Sequence, residues 1–370
     1  MVRTNDSETE LSPLILKPAP FFSRRSMVPD AISEKIYFFG GVGGVHGTDS
    51  ILDVSDDLWI FDPSCLSWSK VEKTKLWPEP RRCPGWLALE DRLLLWGGSG
   101  IRQISEKVTT YNFLNDFWSF LPKEGRWEVL SQQSVLSSYP SARYASVFQV
   151  VQKHFVLFGG YTEDNSLGKR KLNDTWIFYN GNWEKLPFQK GTGYTIEAKY
   201  PGPRYGCMSA SDGRYVYVCG GNSDLGDHLD LWRFDIETKK WELLFPDRHS
   251  MEAPQPRYCA AFTVHGNKIL LFGGRSRHNP KLNFNDFWLF DLDSDKWHKI
   301  HDNSSSHQYG RGTIYPAYHA KSATAVCGKH WYLFGGEGYY GHVSDFWRLD
   351  LDRFVWQLIQ PAREDDPILW

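Results

Sequence analysis

Six times along the chain an apolar run ends in a pair of glycines: IYFFGG at Gly41, LLLWGG at Gly98, FVLFGG at Gly160, VYVCGG at Gly221, ILLFGG at Gly274 and WYLFGG at Gly336. After each pair comes an Asp-x-Trp, at Asp57/Trp59, Asp116/Trp118, Asp174/Trp176, Asp230/Trp232, Asp286/Trp288 and Asp345/Trp347. A second tryptophan closes each unit, at Trp68, Trp127, Trp183, Trp241, Trp297 and Trp356. Successive Asp-x-Trp motifs lie 56 to 59 residues apart. A fixed period of that size marks a supersecondary unit that cannot bury its apolar surface alone and must stack on copies of itself. Twelve of the 17 tryptophans belong to the repeat, so the 16% aromatic content reflects one packing unit copied, not one oversized core.

Within each unit the Asp-x-Trp segment alternates with period two, placing Asp57, Trp59 and Phe61 on one strand face and Leu58 and Ile60 on the other. A strand apolar on both faces must be covered on both, which radial stacking of sheets achieves. Two glycines at a strand end permit positive φ and a close approach of neighbouring backbone. The combination of double glycine, Asp-x-Trp strand and Trp strand resembles the kelch family over about residues 21–360. That resemblance implies an all-β, six-bladed kelch β-propeller with four antiparallel strands per blade, an N-terminal extension over 1–20 and a C-terminal tail over 361–370. Blade one would begin near Arg25 and blade six end near Ile359, leaving no strand to exchange between the termini. Closure is then expected from blade packing, with Leu14 to Leu16 or Pro361 to Trp370 covering the seam.

A formal net charge of −2 and a pI near 6.6 remove the electrostatic basis for non-specific nucleic-acid binding. The N-terminus lacks the apolar core of a secretory signal, and no run reaches membrane-spanning length. The expectation is a cytoplasmic protein with no nucleic-acid or membrane partner. The six cysteines contain no CxxC pair and read as reduced thiols.

Function on a propeller lies in its connections, because the blades are committed to packing. The links between first and second strands and between third and fourth are short throughout. The segments after the double glycines and those joining successive blades vary, notably Ser99 to Asn115, Glu184 to Pro203 and His298 to Tyr318. In an up-and-down blade these two variable links emerge on one side, so one face is elaborated and is the expected binding face. Its residues include Tyr161, Lys169, Arg170, Lys171, Tyr194, Arg275, Arg277, His278, Arg311, Tyr315, Tyr339, Tyr340 and His342.

Arg25, Arg82, Arg143, Arg204 and Arg257 lie 15 or 16 residues before their double glycines, near the start of the innermost strands, and His319 takes that place in the sixth unit. In kelch substrate receptors an arginine here commonly points into the channel mouth and holds peptide carboxylates. The resemblance thus implies an asymmetric cationic ring of Arg82, Arg143, Arg204 and Arg257, with Arg25 a further member. The alternative is that each arginine caps its own blade's corner by pairing with the repeated aspartate. Blade five reads GGRSRHNPKLNFND, and Arg275 and Arg277 match the placing of arginines in the loop by which kelch C-terminal-degron receptors grip a terminal carboxylate. No BTB, BACK or F-box segment and no adaptor-recruiting C-terminal box is recognisable. The candidate ligand contacts are therefore Arg82, Arg143, Arg204, Arg257, Arg275, Arg277, Tyr161 and Tyr339, for a peptide or protein with an exposed carboxylate.

The other reading is a small-molecule lyase, isomerase or specifier protein using the same mouth, with or without a metal. Specifier proteins bind ferrous iron through Glu-x3-Asp-x3-His; here Asp224 and His228 supply the second half, but position 220 is glycine, and the pair reads as a solvated loop. Cys83, Cys207, Cys259 and His319 are a conceivable soft-metal set, with core filling the favoured role of the thiols. No Walker loop, HExxH or GxSxG occurs, and GVGG at Gly41 to Gly44 precedes no helix. No catalytic residue, metal ligand or cofactor is assigned, and the balance lies against an enzyme.

Overall fold

The structure, a computed structural model, describes residues 24–25, 28–43, 54–105, 108–131, 139–164, 168–187, 192–193, 197–247, 252–277, 284–301, 315–338 and 341–362. These residues form an all-β, six-bladed propeller of four-stranded antiparallel sheets, with no helix among them. From innermost to outermost strand, blade one runs Val28–Ile32, Lys35–Phe39, Leu58–Asp62 and Ser67–Lys70. Blade four runs Met208–Ser211, Tyr215–Ser223, Gly226–Asp235 and Lys240–Phe245, and blade six Ala323–Cys327, His330–Glu337, His342–Asp350 and Val355–Gln360.

Each blade uses four consecutive strands, so none is exchanged across the ring. Closure comes from packing. There are six apolar clusters, one for each junction between neighbouring blades. At the junction of blades six and one, Ile36, Phe38 and Phe61 meet Ala323, Tyr332, Phe334 and Phe346. Trp68 Nε1 also donates to Gln360 Oε1 across this seam at 3.3 Å. The segments expected to cover it, Leu14 to Leu16 and most of the C-terminal tail, lie outside the described residues.

The two faces of the third strands behave as their alternation requires. Trp232 and Phe234 pack toward blade three, whereas Leu229 and Leu231 pack toward blade five. The double glycines serve the same junctions. Gly220 sits at φ 59°, and a Cβ there would come within 2.7 Å of the Arg257 carbonyl oxygen of the next blade. Its neighbour Gly221 donates to that same carbonyl at 3.1 Å, and Gly98 and Gly160 donate likewise to Arg143 and Arg204 of the blades that follow them. Only a residue without a side chain lets one blade's strand end touch the next blade's corner.

Two elements shape the elaborated face. In blade two the second and third strands run on as Arg92–Ser105 and Val108–Leu121, so the segment read as a long connection from Ser99 is an antiparallel β-arm. In blade three, Tyr161–Asp164 and Gly168–Lys171 form a second small hairpin.

Candidate functional site

The six-fold repeat first fixes a corner and then, one residue later, a position at the mouth. In blade four the corner is Arg204, which is fully buried. Its Nε donates to the Gly202 carbonyl, one terminal nitrogen donates to the Gly220 carbonyl, and the guanidinium takes both oxygens of Asp230 at 2.5 and 2.8 Å. Asp230 Oδ2 also accepts from Trp232 Nε1 at 2.7 Å. Arg143 with Asp174 and Arg257 with Asp286 repeat the arrangement. Here the repeated aspartate and tryptophan find their shared purpose: a bidentate ion pair in which each of the guanidinium's three nitrogens is engaged. Burial raises the pKa of Asp174 and of Asp286, but the facing guanidinium more than offsets it and holds both below the ordinary carboxylate value.

Arg143, Arg204 and Arg257 therefore occupy corners and do not point into the channel mouth. In blade two the corner arginine is Arg81, fully buried and bidentate to Asp116, and not Arg82. Corner residues lie 16 before the first glycine; Arg82, at 15, belongs to the next position. In blade six His319 fills the corner, with Nδ1 against the Ala317 carbonyl at 2.9 Å and Nε2 on Asp345 Oδ1 at 3.0 Å. Burial pulls the His319 pKa down, but the Asp345 carboxylate and the carbonyl outweigh it, leaving it above the usual value. Of Arg25, the described structure gives only the backbone pairing with Val42.

The residue after each corner carries the mouth. Arg82, Tyr144, Tyr205, Tyr258 and Ala320 form isolated antiparallel bridges with Ser99, Tyr161, Asn222, Arg275 and Glu337, each directly after its double glycine. The next residues, Cys83, Ala145, Gly206, Cys259 and Lys321, all have φ between 46° and 64°. The last four each donate a backbone hydrogen bond to the preceding blade: Ala145 N to Cys83 O, Gly206 N to Ala145 O, Cys259 N to Gly206 O and Lys321 N to Cys259 O, at 2.9 to 3.2 Å. The positive φ turns each N–H sideways to the neighbouring blade, and the blades meet edge to edge around the axis.

On this ring stands an arc of aromatic side chains. Tyr144 and Tyr205 lie 6.2 Å apart, Tyr205 and Tyr258 6.2 Å, and Tyr161 and Tyr205 5.8 Å. Phe113 of the blade-two arm stacks on Tyr144 at 5.4 Å. An arginine ends the arc at either side. The Arg82 guanidinium lies 3.8 Å from the Tyr111 ring centroid and 5.3 Å from that of Tyr144, and no carboxylate pairs with it among the described residues. Arg275 lies 5.7 Å from the Tyr258 ring and donates to Glu337 Oε2 at 2.7 Å. Burial raises the pKa of Tyr144 and Tyr205 and pushes that of Tyr258 up to about 12, so these phenols are neutral hydrogen-bond donors at physiological pH.

Arg277 is exposed beside the mouth; its backbone N–H donates to Asp227 and its guanidinium to Asn222 Oδ1 at 3.1 Å. Tyr339, along with Tyr194, His278, Arg311 and Tyr340, lies outside the described residues. Tyr144, Tyr205 and Tyr258 were not picked out by spacing, although each directly follows its corner arginine as an Arg-Tyr dipeptide. Lys321 and Glu337 had no signal of their own.

Asp224 and His228 do not act as a pair. Asp224 is exposed and meets Lys171 Nζ at 3.0 Å. His228 is buried, not solvated, with Nε2 2.6 Å from Ser223 Oγ and Nδ1 2.5 Å from Asp247. Burial pushes the thiols of Cys207 and Cys259 up to about 12, and the ring nitrogens of His319 are already engaged. No cluster of three His, Cys, Asp or Glu side chains suited to a metal occurs among the described residues, and no helix there is long and apolar enough to cross a membrane.

Comparison with known proteins agrees with this architecture. The KLHDC2/KLHL20/DRC7 Kelch-repeats domain matches residues 26–274 and 201–368, and the chain belongs to the kelch-repeat family. An F-box/kelch-repeat protein of Arabidopsis thaliana is 30% identical over 294 residues, which is 76% of this chain and 56% of that protein. Kelch domain-containing protein 10 of Homo sapiens is 23% identical over 265 residues, covering 70% of this chain and 54% of the relative. A leucine-zipper-like transcriptional regulator 1 homolog of Drosophila melanogaster is 24% identical over 264 residues, covering 70% and 24%. The matched region spans roughly half or less of each of these relatives.

Proposed function

We propose that this propeller is a protein-interaction module whose mouth captures a peptide or protein segment bearing an exposed carboxylate. The observation that carries the reading is Arg82: a guanidinium laid on Tyr111 at the end of a tyrosine arc, without a carboxylate partner among the described residues. A guanidinium presents a planar fork that takes a carboxylate through two parallel hydrogen bonds. Tyrosines beside it offer flat apolar surface and a phenolic donor with little side-chain entropy to lose, the features recognition surfaces favour. The corner arginines have no part in this reading, since their donors are engaged within the blades.

The test is a pool of C-terminally randomised peptides, offered as free acids and as amides. Free acids should bind, and Arg82→Glu should weaken their binding at least tenfold, about 1.5–3 kcal/mol for a hydrogen bond to a charged group. Lys169→Glu, on the blade-three hairpin, serves as a loop control and should change binding little. Equal capture of amides, or equal loss in the two variants, would reduce the attraction to diffuse charge or to none.

A further inference from the structure

The two arginines of the arc are not equivalent. Arg82 has no carboxylate among the described residues, whereas Arg275 of blade five already holds Glu337 of blade six at 2.7 Å. Glu337 also meets Lys321 Nζ, at 3.1 and 3.2 Å from its two oxygens. Its backbone is fixed by reciprocal bonds with Ala320, at 2.7 and 3.0 Å. The three side chains are 21%, 23% and 11% exposed, so the cluster borders solvent at the mouth. Glu337 thus places a carboxylate of the protein itself on the cations at that end of the arc.

We infer that Glu337 is a built-in competitor: it occupies Arg275 and Lys321 in the free protein, and an arriving ligand carboxylate must displace it or bind against its charge. This rests on the proposed carboxylate reading of the mouth and deepens it. Because one carboxylate replaces another on the same cations, the exchange itself yields little net free energy. A small acid has nothing further to offer and is rejected. A peptide end whose neighbouring side chains cover Tyr144, Tyr205 and Tyr258 gains apolar burial that a small acid lacks, and it prevails. Glu337 would then make the mouth selective for a peptide end over free carboxylate.

The deciding experiment compares wild type, Glu337→Gln and Arg275→Gln, alone and combined, with the randomised peptide pool as free acid or amide and with acetate as the small-acid probe. Glutamine keeps the size of the side chain and removes its charge. Glu337→Gln should tighten free-acid binding by about fivefold or more, make acetate binding measurable, and steepen the weakening by salt, because one negative charge has then been removed from beside Arg275 and Lys321. In the Arg275→Gln background the gain should largely vanish. If wild type binds free acids and Glu337→Gln leaves affinity and salt dependence unchanged, or lowers affinity, Glu337 only positions Arg275 and the inference fails alone. If wild type prefers no free acid over its amide, both readings fall. Glu337→Asp, with its carboxylate one carbon shorter, should give a smaller change in the same direction and secures the test should the glutamine variant fold poorly.

Discussion

Blades two to five and blade six build one corner with different cations. In the four arginine blades a guanidinium holds both oxygens of the aspartate and also donates to the first glycine's carbonyl, as Arg204 does with Asp230 and Gly220. In blade six His319 has two nitrogens to offer; one meets the Ala317 carbonyl and the other a single oxygen of Asp345, whose second oxygen accepts from Trp347 at 2.6 Å. The imidazole therefore reproduces only part of the arginine's set. It also differs in kind: arginine is charged at every accessible pH, whereas histidine is charged only below its own pKa. Among the described corners the one in blade six is conditional, and it lies beside the seam where the ring closes.

The largest expected effect comes from breaking an unconditional corner. Arg204→Met leaves Asp230, only 1% exposed, as a buried carboxylate facing a carbonyl and no cation. Removing one partner of such a pair costs about 3–5 kcal/mol. Denaturant titration of the variant against wild type measures it, and a loss below about 1 kcal/mol would mean that the corner is not holding the blade. Arg204→Met combined with Asp230→Leu should recover much of the loss, because no uncompensated charge remains.

The conditional corner responds to pH. The His319 pKa is raised above 6.5 and that of Asp345 is lowered below 3.8, each mainly through the other once the cost of burial has been outweighed. A raised histidine contributes stability that is complete below its unfolded value and lost as pH rises through its folded value. A lowered aspartate contributes stability that is complete above its unfolded value and lost as pH falls through its folded value. The blade-six pair is thus fully formed between about pH 4 and 6.5, and weakens on the alkaline side as His319 gives up its proton. Roughly 1.5–3 kcal/mol, the worth of a hydrogen bond to a charged group, bounds the loss. Unfolding free energies of wild type and His319→Arg from pH 6 to 9 should diverge, the wild type falling more steeply. Parallel profiles would mean that His319 does not titrate in this range.

How much of this was open to reading from the sequence follows from what is copied and what is not. The blades repeat six times, and the double glycine, Asp-x-Trp and Trp strands locate themselves by spacing; even the sixth corner shows, as a histidine at the arginine's count. The mouth was harder, because corner and mouth are adjacent residues whose side chains go to opposite sides. A slip of one position exchanges them. The sequence reading takes Arg82, at 15, for a place that its neighbour Arg81, at 16, fills on Asp116. The pairing of Arg275 with Glu337 joins residues 62 apart on different blades, a contact that only the ring's curvature creates.

The smallest expected effect is the one that separates these neighbours. Arg81 and Arg82 carry the same charge, yet Arg81 is fully buried on Asp116 while Arg82 is half-buried on the face of Tyr111. Arg82→Gln therefore loses a cation–π contact of about 0.5–1 kcal/mol and leaves no carboxylate stranded. The net change in unfolding free energy should therefore stay within about 1 kcal/mol. Arg81→Gln strips Asp116 of its bidentate partner and should cost clearly more than Arg82→Gln, though less than the blade-four corner variant, because Asp116 is 27% exposed and Asp230 1%. Measured side by side by denaturant titration, the two variants test the one-residue assignment on which the binding site rests. Should Arg82→Gln be the damaging member of the pair, corner and mouth have been exchanged and the arc must be redrawn.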